Sequence, residues 1–79
     1  METINTLPAA KYIIGTKTIA KGIKSGKIKT VVVSKNTPKA LIDKLNSKNV
    51  KIKFFAGDER EMATKLGKPF PIAAIGYEE

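Results

Sequence analysis

The 79-residue sequence contains no cysteine, no histidine and no tryptophan. Without cysteine there is neither a disulfide nor a thiolate metal site. Without histidine the commonest metal ligand and the commonest general base are missing as well. The carboxylates form no pair with catalytic spacing, because Asp58, Glu59 and Glu61 crowd into one short stretch. Neither an enzyme nor a cofactor or metal is therefore expected. No apolar run approaches the roughly 20 residues that a membrane span needs. Met1–Asn5 has neither the basic region nor the apolar region of a secretory signal. The expectation is a soluble cytoplasmic protein with no membrane partner. A chain of this length makes one domain with a modest core.

Positive charge is abundant, and it is unevenly spread. The net charge is +8. Between Lys11 and Lys53 there are twelve lysines and one acid, Asp43. The remaining acids are Glu2, the Asp58/Glu59/Glu61 group and Glu78-Glu79. A basic body of this kind favours phosphate-rich partners, since each neutralised phosphate releases counterions. The competing reading is a lysine-rich solvated surface with no partner.

The pattern along the chain alternates between strand and helix. Residues 1–11 read as a short, weakly structured N-terminal segment, with Thr6-Leu7-Pro8 able to cap a short helix toward Lys11. Residues 12–79 read as the single folded domain. Tyr12-Ile13-Ile14 is a short strand ending at Gly15. Thr16–Lys24 is a helix with Ile19, Ala20 and Ile23 inward and Lys17, Lys21 and Lys24 outward. Gly26 suits a left-handed cap after it. The β-branched run Thr30–Ser34 is a central strand. Thr37 is placed to cap a helix that Pro38 opens, with Leu41, Ile42 and Leu45 inward. Val50–Phe54 alternates as a strand with one wet face, on which Lys51 and Lys53 are solvated. Asp58, with Glu61 three residues on, caps a last helix whose inner face is Met62, Ala63 and Leu66. Gly67 closes that helix, and Ile72–Ile75 is the final strand. The result is an α/β fold, a three-layer α/β/α sandwich on a four-stranded mixed sheet. Phe54 and Phe70 are expected in the core.

Two stretches suit a polyanion. Gly15-Thr16-Lys17-Thr18 follows a strand and opens a helix, so backbone N–H groups and the helix dipole point outward together. It is not a nucleotide P-loop, because the first glycine of that motif is missing. An ordinary strand-to-helix turn is the plain alternative. Lys17, Lys21 and Lys24, with Lys27 beyond, form a ladder leading from this turn, and its plain alternative is a solvated helix face. The second stretch is Ala56-Gly57-Asp58-Glu59-Arg60. Its acids repel phosphate but accept hydrogen bonds from base amino groups, and Arg60 contacts bases or phosphates. For Asp58 itself, helix capping is the preferred role. No interleaved aromatic platform for single-stranded bases is visible.

The stretches Tyr12–Lys21 and Gly26–Asn36, followed by Glu61–Phe70, resemble the two signatures of the kink-turn-binding ribosomal protein superfamily, of the L-seven-Ae and L-thirty-e type. The Gly67-Lys68-Pro69-Phe70 ending is most similar to the archaeal L-thirty-e branch. The resemblance covers residues 12–76 and implies the same three-layer fold. It further implies recognition of a kink-turn or related internal loop, where sheared G·A pairs flank a sharp bend. By position, it assigns RNA contacts to Gly15, Thr16, Lys17, Thr18 and Lys21 and to Asn36. The loop from Ala56 through Gly57, Asp58, Glu59 and Arg60 to Met62 is placed against the splayed nucleotide. Departures exist as well. The kink-turn-specialist branch has Asn-Glu where this chain has Lys17-Thr18, and Ala63 stands where the family has glycine.

The expected function is an RNA-binding ribosomal protein of the large subunit, with Lys21, Lys24 and Lys27 neutralising flanking backbone. The expected partner is structured RNA, either ribosomal RNA or another kink-turn RNA, alongside other ribosomal or ribonucleoprotein subunits. Outside such a complex a monomer is expected. The competing readings are a free-standing kink-turn protein of a guide-RNA or RNase particle and a protein-interaction module on the same fold.

Overall fold

The computed structural model describes residues 2–7, 11–46 and 50–78. Along the chain the elements are β1 (Glu2–Ile4), β2 (Tyr12–Ile14), α1 (Thr16–Lys24), β3 (Thr30–Val33), α2 (Lys39–Leu45), β4 (Lys51–Phe55), α3 (Glu59–Leu66) and β5 (Ala74–Tyr77). The strands form one mixed sheet in the order β1-β4-β3-β5-β2. β1, β4 and β3 run parallel, whereas β5 runs antiparallel to both β3 and β2.

The sheet has five strands rather than the four expected from the sequence. The extra strand is β1, which pairs Glu2 with Lys53 and Ile4 with Phe55. The N-terminal segment is therefore not loose throughout, because its first residues close the sheet edge beside β4. Three residues carry no periodicity to betray them, and their partner lies some fifty positions away. The short helix expected toward Lys11 and most of the exit loop at 46–49 fall outside the described residues.

Side chains alternate across the strands, and each face is covered. Val31 and Val33 join Ile19 of α1 and Ile42 and Leu45 of α2 in one apolar cluster. Val32, Phe55 and Ile75 join Met62 and Ala63 of α3 in the other. β3 is buried from both sides, as its unbroken valine run implies. α1 has the bounds its periodicity predicts. Gly22, a poor helix former, sits where the Ile28 side chain packs against the helix. A Cβ there would stand 2.5 Å from Ile28 Cδ1. The glycine admits this approach, and its helix-propensity cost of about 1 kcal/mol is the consequence.

Three local expectations change. α2 has Pro38 rather than Thr37 at its N-cap position and carries no side-chain cap, and the Thr37 hydroxyl donates to the Ala73 carbonyl. The last strand lies two residues later than read, since Gly76 and Tyr77 pair with β2 and β3. Phe70 is not core but 48% exposed, held out between Pro69 and Pro71.

Tyr77 is 2% exposed, and its ring meets Tyr12 edge-on at 6.4 Å. Burial pushes its hydroxyl above the ordinary value of 10.0, and repulsion from Tyr12 adds to this. The fold therefore favours the neutral phenol. This contribution to stability is complete below pH 10 and is lost as pH rises through the elevated value. Urea unfolding at pH 8 to 11 should show a decline above pH 10 that is shallower in Tyr77→Phe. Equal slopes would place the titration elsewhere.

Candidate nucleic-acid interface

The topology gathers several loops at one end of the sheet. β1, β2, β3 and β4 all end there, and β5 begins there. The β2–α1 turn at Gly15, the β3–α2 loop from Ser34 to Pro38 and the β4–α3 loop from Ala56 to Asp58 therefore share one rim. Backbone hydrogen bonds tie the loops together. Lys35 N–H donates to the Gly57 carbonyl at 2.9 Å, Ser34 N–H to Ala73 at 2.8 Å, and Ile72 N–H to Glu59 at 3.1 Å.

Gly15 opens α1 with φ 107° and ψ 122°, a conformation only glycine adopts without strain. Its carbonyl accepts from Ile19 N–H, but no side chain caps the helix and no acid lies in its first turn. The N–H groups of Thr16, Lys17 and Thr18 consequently have no intrahelical acceptor. They meet the positive end of the helix dipole beside the exposed Lys17 side chain. α3 is the opposite case. Asp58 accepts from the N–H groups of Arg60 and Glu61 at 3.0 and 2.9 Å, and Glu59 and Glu61 lie in the first turn. The capping role preferred for Asp58 holds.

Asn36 stands on a hydrogen-bonded knot. Ser34, fully buried, has its hydroxyl 2.9 Å from Asn36 Oδ1 and 2.7 Å from Thr37 Oγ1, and Thr37 donates to the Ala73 carbonyl at 3.1 Å. Two hydroxyl protons cannot serve three contacts. All three are satisfied when the Asn36 amide is turned over. Its NH2 then donates to Ser34, Ser34 donates to Thr37, and Thr37 donates to Ala73. This leaves the Asn36 carbonyl oxygen facing outward as an acceptor.

The residues singled out in the sequence divide into three groups. Gly15, Thr16, Lys17, Thr18, Asn36, Gly57, Asp58, Glu59 and Arg60 lie at the common rim. Lys21 stands partway down α1, while Lys24 and Lys27 lie at the opposite end of the sheet. Met62 is fully buried against the sheet, so its side chain has no surface to offer a ligand. One further residue near this rim was not singled out in the sequence. The exposed Phe70 shares a shallow groove of about 290 Å³ with Arg60, Thr64 and Lys68, next to the Asp58–Arg60 turn. The signal available was its flanking by two prolines, which keeps it out of a regular element.

Residues 2–79 match the Ribosomal protein L7Ae/L30e/S12e/Gadd45 family. The chain belongs to this family. Among curated family proteins, the large ribosomal subunit protein eL30 of Archaeoglobus fulgidus is 35% identical, with 100% of this chain and 94% of that protein covered. The eL30 of Sulfolobus acidocaldarius is also 35% identical, over 89% of this chain and 71% of its own length. The eL30 of Saccharomyces cerevisiae is 27% identical, over 92% and 73%. Among solved structures, a protein of unknown function from Bacillus halodurans C superposes with a TM-score of 0.70 at 22% identity, covering 86% of this chain and 71% of its own. That likeness concerns the fold alone. In this chain the rim holding Gly15, Asn36 and Gly57 carries the N-terminus of α1, which no side chain caps.

Proposed function

We propose that this protein is a cytoplasmic, ribosome-associated RNA-binding protein of the large subunit that recognises a kink-turn or related internal loop. The role is structural rather than enzymatic. The observation that carries the reading is the uncapped N-terminus of α1, with free N–H groups at Thr16–Thr18 beside Lys17, on a rim shared with Asn36 and the Asp58–Arg60 turn. Phosphates of a bent strand fit the N–H groups. Lys17 reads a guanine edge or a phosphate, and the outward Asn36 oxygen accepts from a base amino group. The carboxylates of the Asp58–Glu61 turn repel a phosphate but not the edge of an exposed base, which favours a shaped RNA over any polyanion. Phe70 offers a face on which a splayed base can stack, with Arg60 close by.

A gel-shift titration tests this, using a kink-turn RNA against the same RNA without its G·A pairs, each at low and high salt. Preference for the intact kink-turn should persist at high salt, while equal affinity would leave only electrostatic attraction. Lys17→Ala should reduce the preference by about tenfold, the worth of one good base contact. Lys24→Ala, at the far end of α1, should leave the preference intact and flatten the salt slope. Equal effects of the two substitutions would refute this division of roles.

A further inference from the structure

The more positive end of the molecule is not the rim just described. At that rim Lys17, Lys35, Lys39 and Arg60 share space with Asp58, Glu59 and Glu61. At the opposite end stand Lys11, Lys24, Lys27, Lys29, Lys44 and Lys51, all exposed, with Asp43 and Glu78 as the described carboxylates. The topology brings them together. β2, β3 and β4 are mutually parallel in direction and all start at this end. Lys11 and Lys29 immediately precede β2 and β3, and Lys51 opens β4. Lys24 and Lys44 lie in the last turns of α1 and α2, and Lys27 follows in the turn after α1.

Helix dipoles account for Lys24 and Lys44, which face the negative ends of their helices. They do not account for Lys11, Lys27, Lys29 and Lys51, which belong to no helix. Like charges gathered on one rim repel one another and weaken the compact state. A polyanion placed there reverses that cost. Among the described residues this end carries no exposed large apolar side chain, since Tyr77 is buried and Phe70 belongs to the other rim. An acidic protein partner would be expected to meet an apolar centre. A platform for unpaired bases would need an exposed ring. What remains is the phosphate backbone of a duplex, recognised by charge and shape.

We propose that this lysine rim is a second RNA surface, holding the backbone of a duplex segment while the Gly15 rim holds a bent one, so that the protein bridges two RNA segments. This rests on the RNA reading given above. The nine residues of α1, about 13 Å of helix, separate the two surfaces, so each is reached from its own side.

The test uses full-length protein saturated with kink-turn RNA, to which a labelled RNA duplex without an internal loop is added. A ternary complex should form at low salt and dissociate steeply as salt rises. In the triple variant Lys11→Glu, Lys29→Glu, Lys51→Glu, duplex affinity in the ternary complex should fall at least about tenfold. Kink-turn affinity at high salt should change by less than about threefold. The corresponding triple glutamine variant, which adds no acid, should show the same pattern more weakly and serves if the first does not fold. Exclusion of the duplex by bound kink-turn RNA, or equal loss of both affinities, would overturn the proposal. Displacement of duplex by polyglutamate at equal charge concentration would overturn it in favour of an acidic protein partner. Duplex retention without kink-turn discrimination would sink the proposed function and leave the lysine rim standing. Discrimination without a ternary complex would do the reverse.

Discussion

Met62→Ala should lower the unfolding free energy by about 2–5 kcal/mol, the usual cost of emptying a buried methionine site. Met62 is 0% exposed and lies between α3 and the sheet, against Phe55 and Ile75. A small domain has about 5–15 kcal/mol in total, so this single change removes much of it. The melting temperature should fall by roughly 8–40 °C, given about 4–8 °C per kcal/mol at this size. Below the new transition, RNA affinity should match the parent protein. Thermal unfolding followed by circular dichroism, with binding measured at low temperature, separates the two effects. A stable Met62→Ala variant with weakened RNA binding would return Met62 to the RNA surface, where the family resemblance had placed it.

Gly15→Val should have the largest effect on binding. At φ 107° a β-branched residue is strained by about 1–3 kcal/mol. The strain has two outlets. Either the fold tolerates it and loses that stability, or the turn relaxes to negative φ and re-aims the N–H groups of Thr16–Thr18. Both outlets act on the backbone donors proposed to meet phosphate. Loss of one donor set worth about 1.4 kcal/mol is tenfold in affinity, and a loss of at least that size is expected for kink-turn RNA. Gly22→Ala is the matched control. Its Cβ would crowd Ile28 and cost about 1–3 kcal/mol by overpacking, but it lies in the last turn of α1, away from the rim. Similar losses of RNA affinity in both variants would mean that stability, not turn geometry, limits binding.

Much of the fold was legible because its signals are local. The Thr30–Val33 run, the helical spacing of Ile19, Ala20 and Ile23, and the Asp58 cap each specify an element within ten residues. What escaped was set by distant partners. β1 is a strand because Phe54 and its neighbours offer an edge, and nothing in Glu2–Ile4 announces this. Gly76 reads as a strand breaker, yet it lies in β5 where Ile28 and Ile19 press so close that a Cβ would meet Ile28 Cδ1 at 2.9 Å. Phe70 reads as core on residue type alone, and the prolines beside it carry the opposite message.

The candidate site shows the same division. Gly15, Lys17 and Asn36 stand out in the sequence because strand–turn–helix junctions and the family signatures mark them, and the structure places them on one rim. Their convergence with Gly57 was expected, and the parallel strands provide it. The lysine ladder is legible only in part. Helical spacing aligns Lys17, Lys21 and Lys24 along a face but does not say that the face runs from one end of the molecule to the other. For Met62, two readings from the sequence competed, an inner helix face and an RNA contact. The burial favours the helix face.

The sheet order also dictates when the protein becomes competent during its synthesis. Of the described strands, β2 has one neighbour, β5, which joins it to β3. β5 is the last of these strands to leave the ribosome. Until Ala74–Tyr77 arrives, β2 and the Gly15 turn have no ladder to hold them, although α1, α2, β3 and β4 are already made. A nascent or truncated chain therefore carries the lysines but not the shaped turn. If the proposed function holds, specific recognition would require β5, and copies lacking it would present the lysines without the shaped turn.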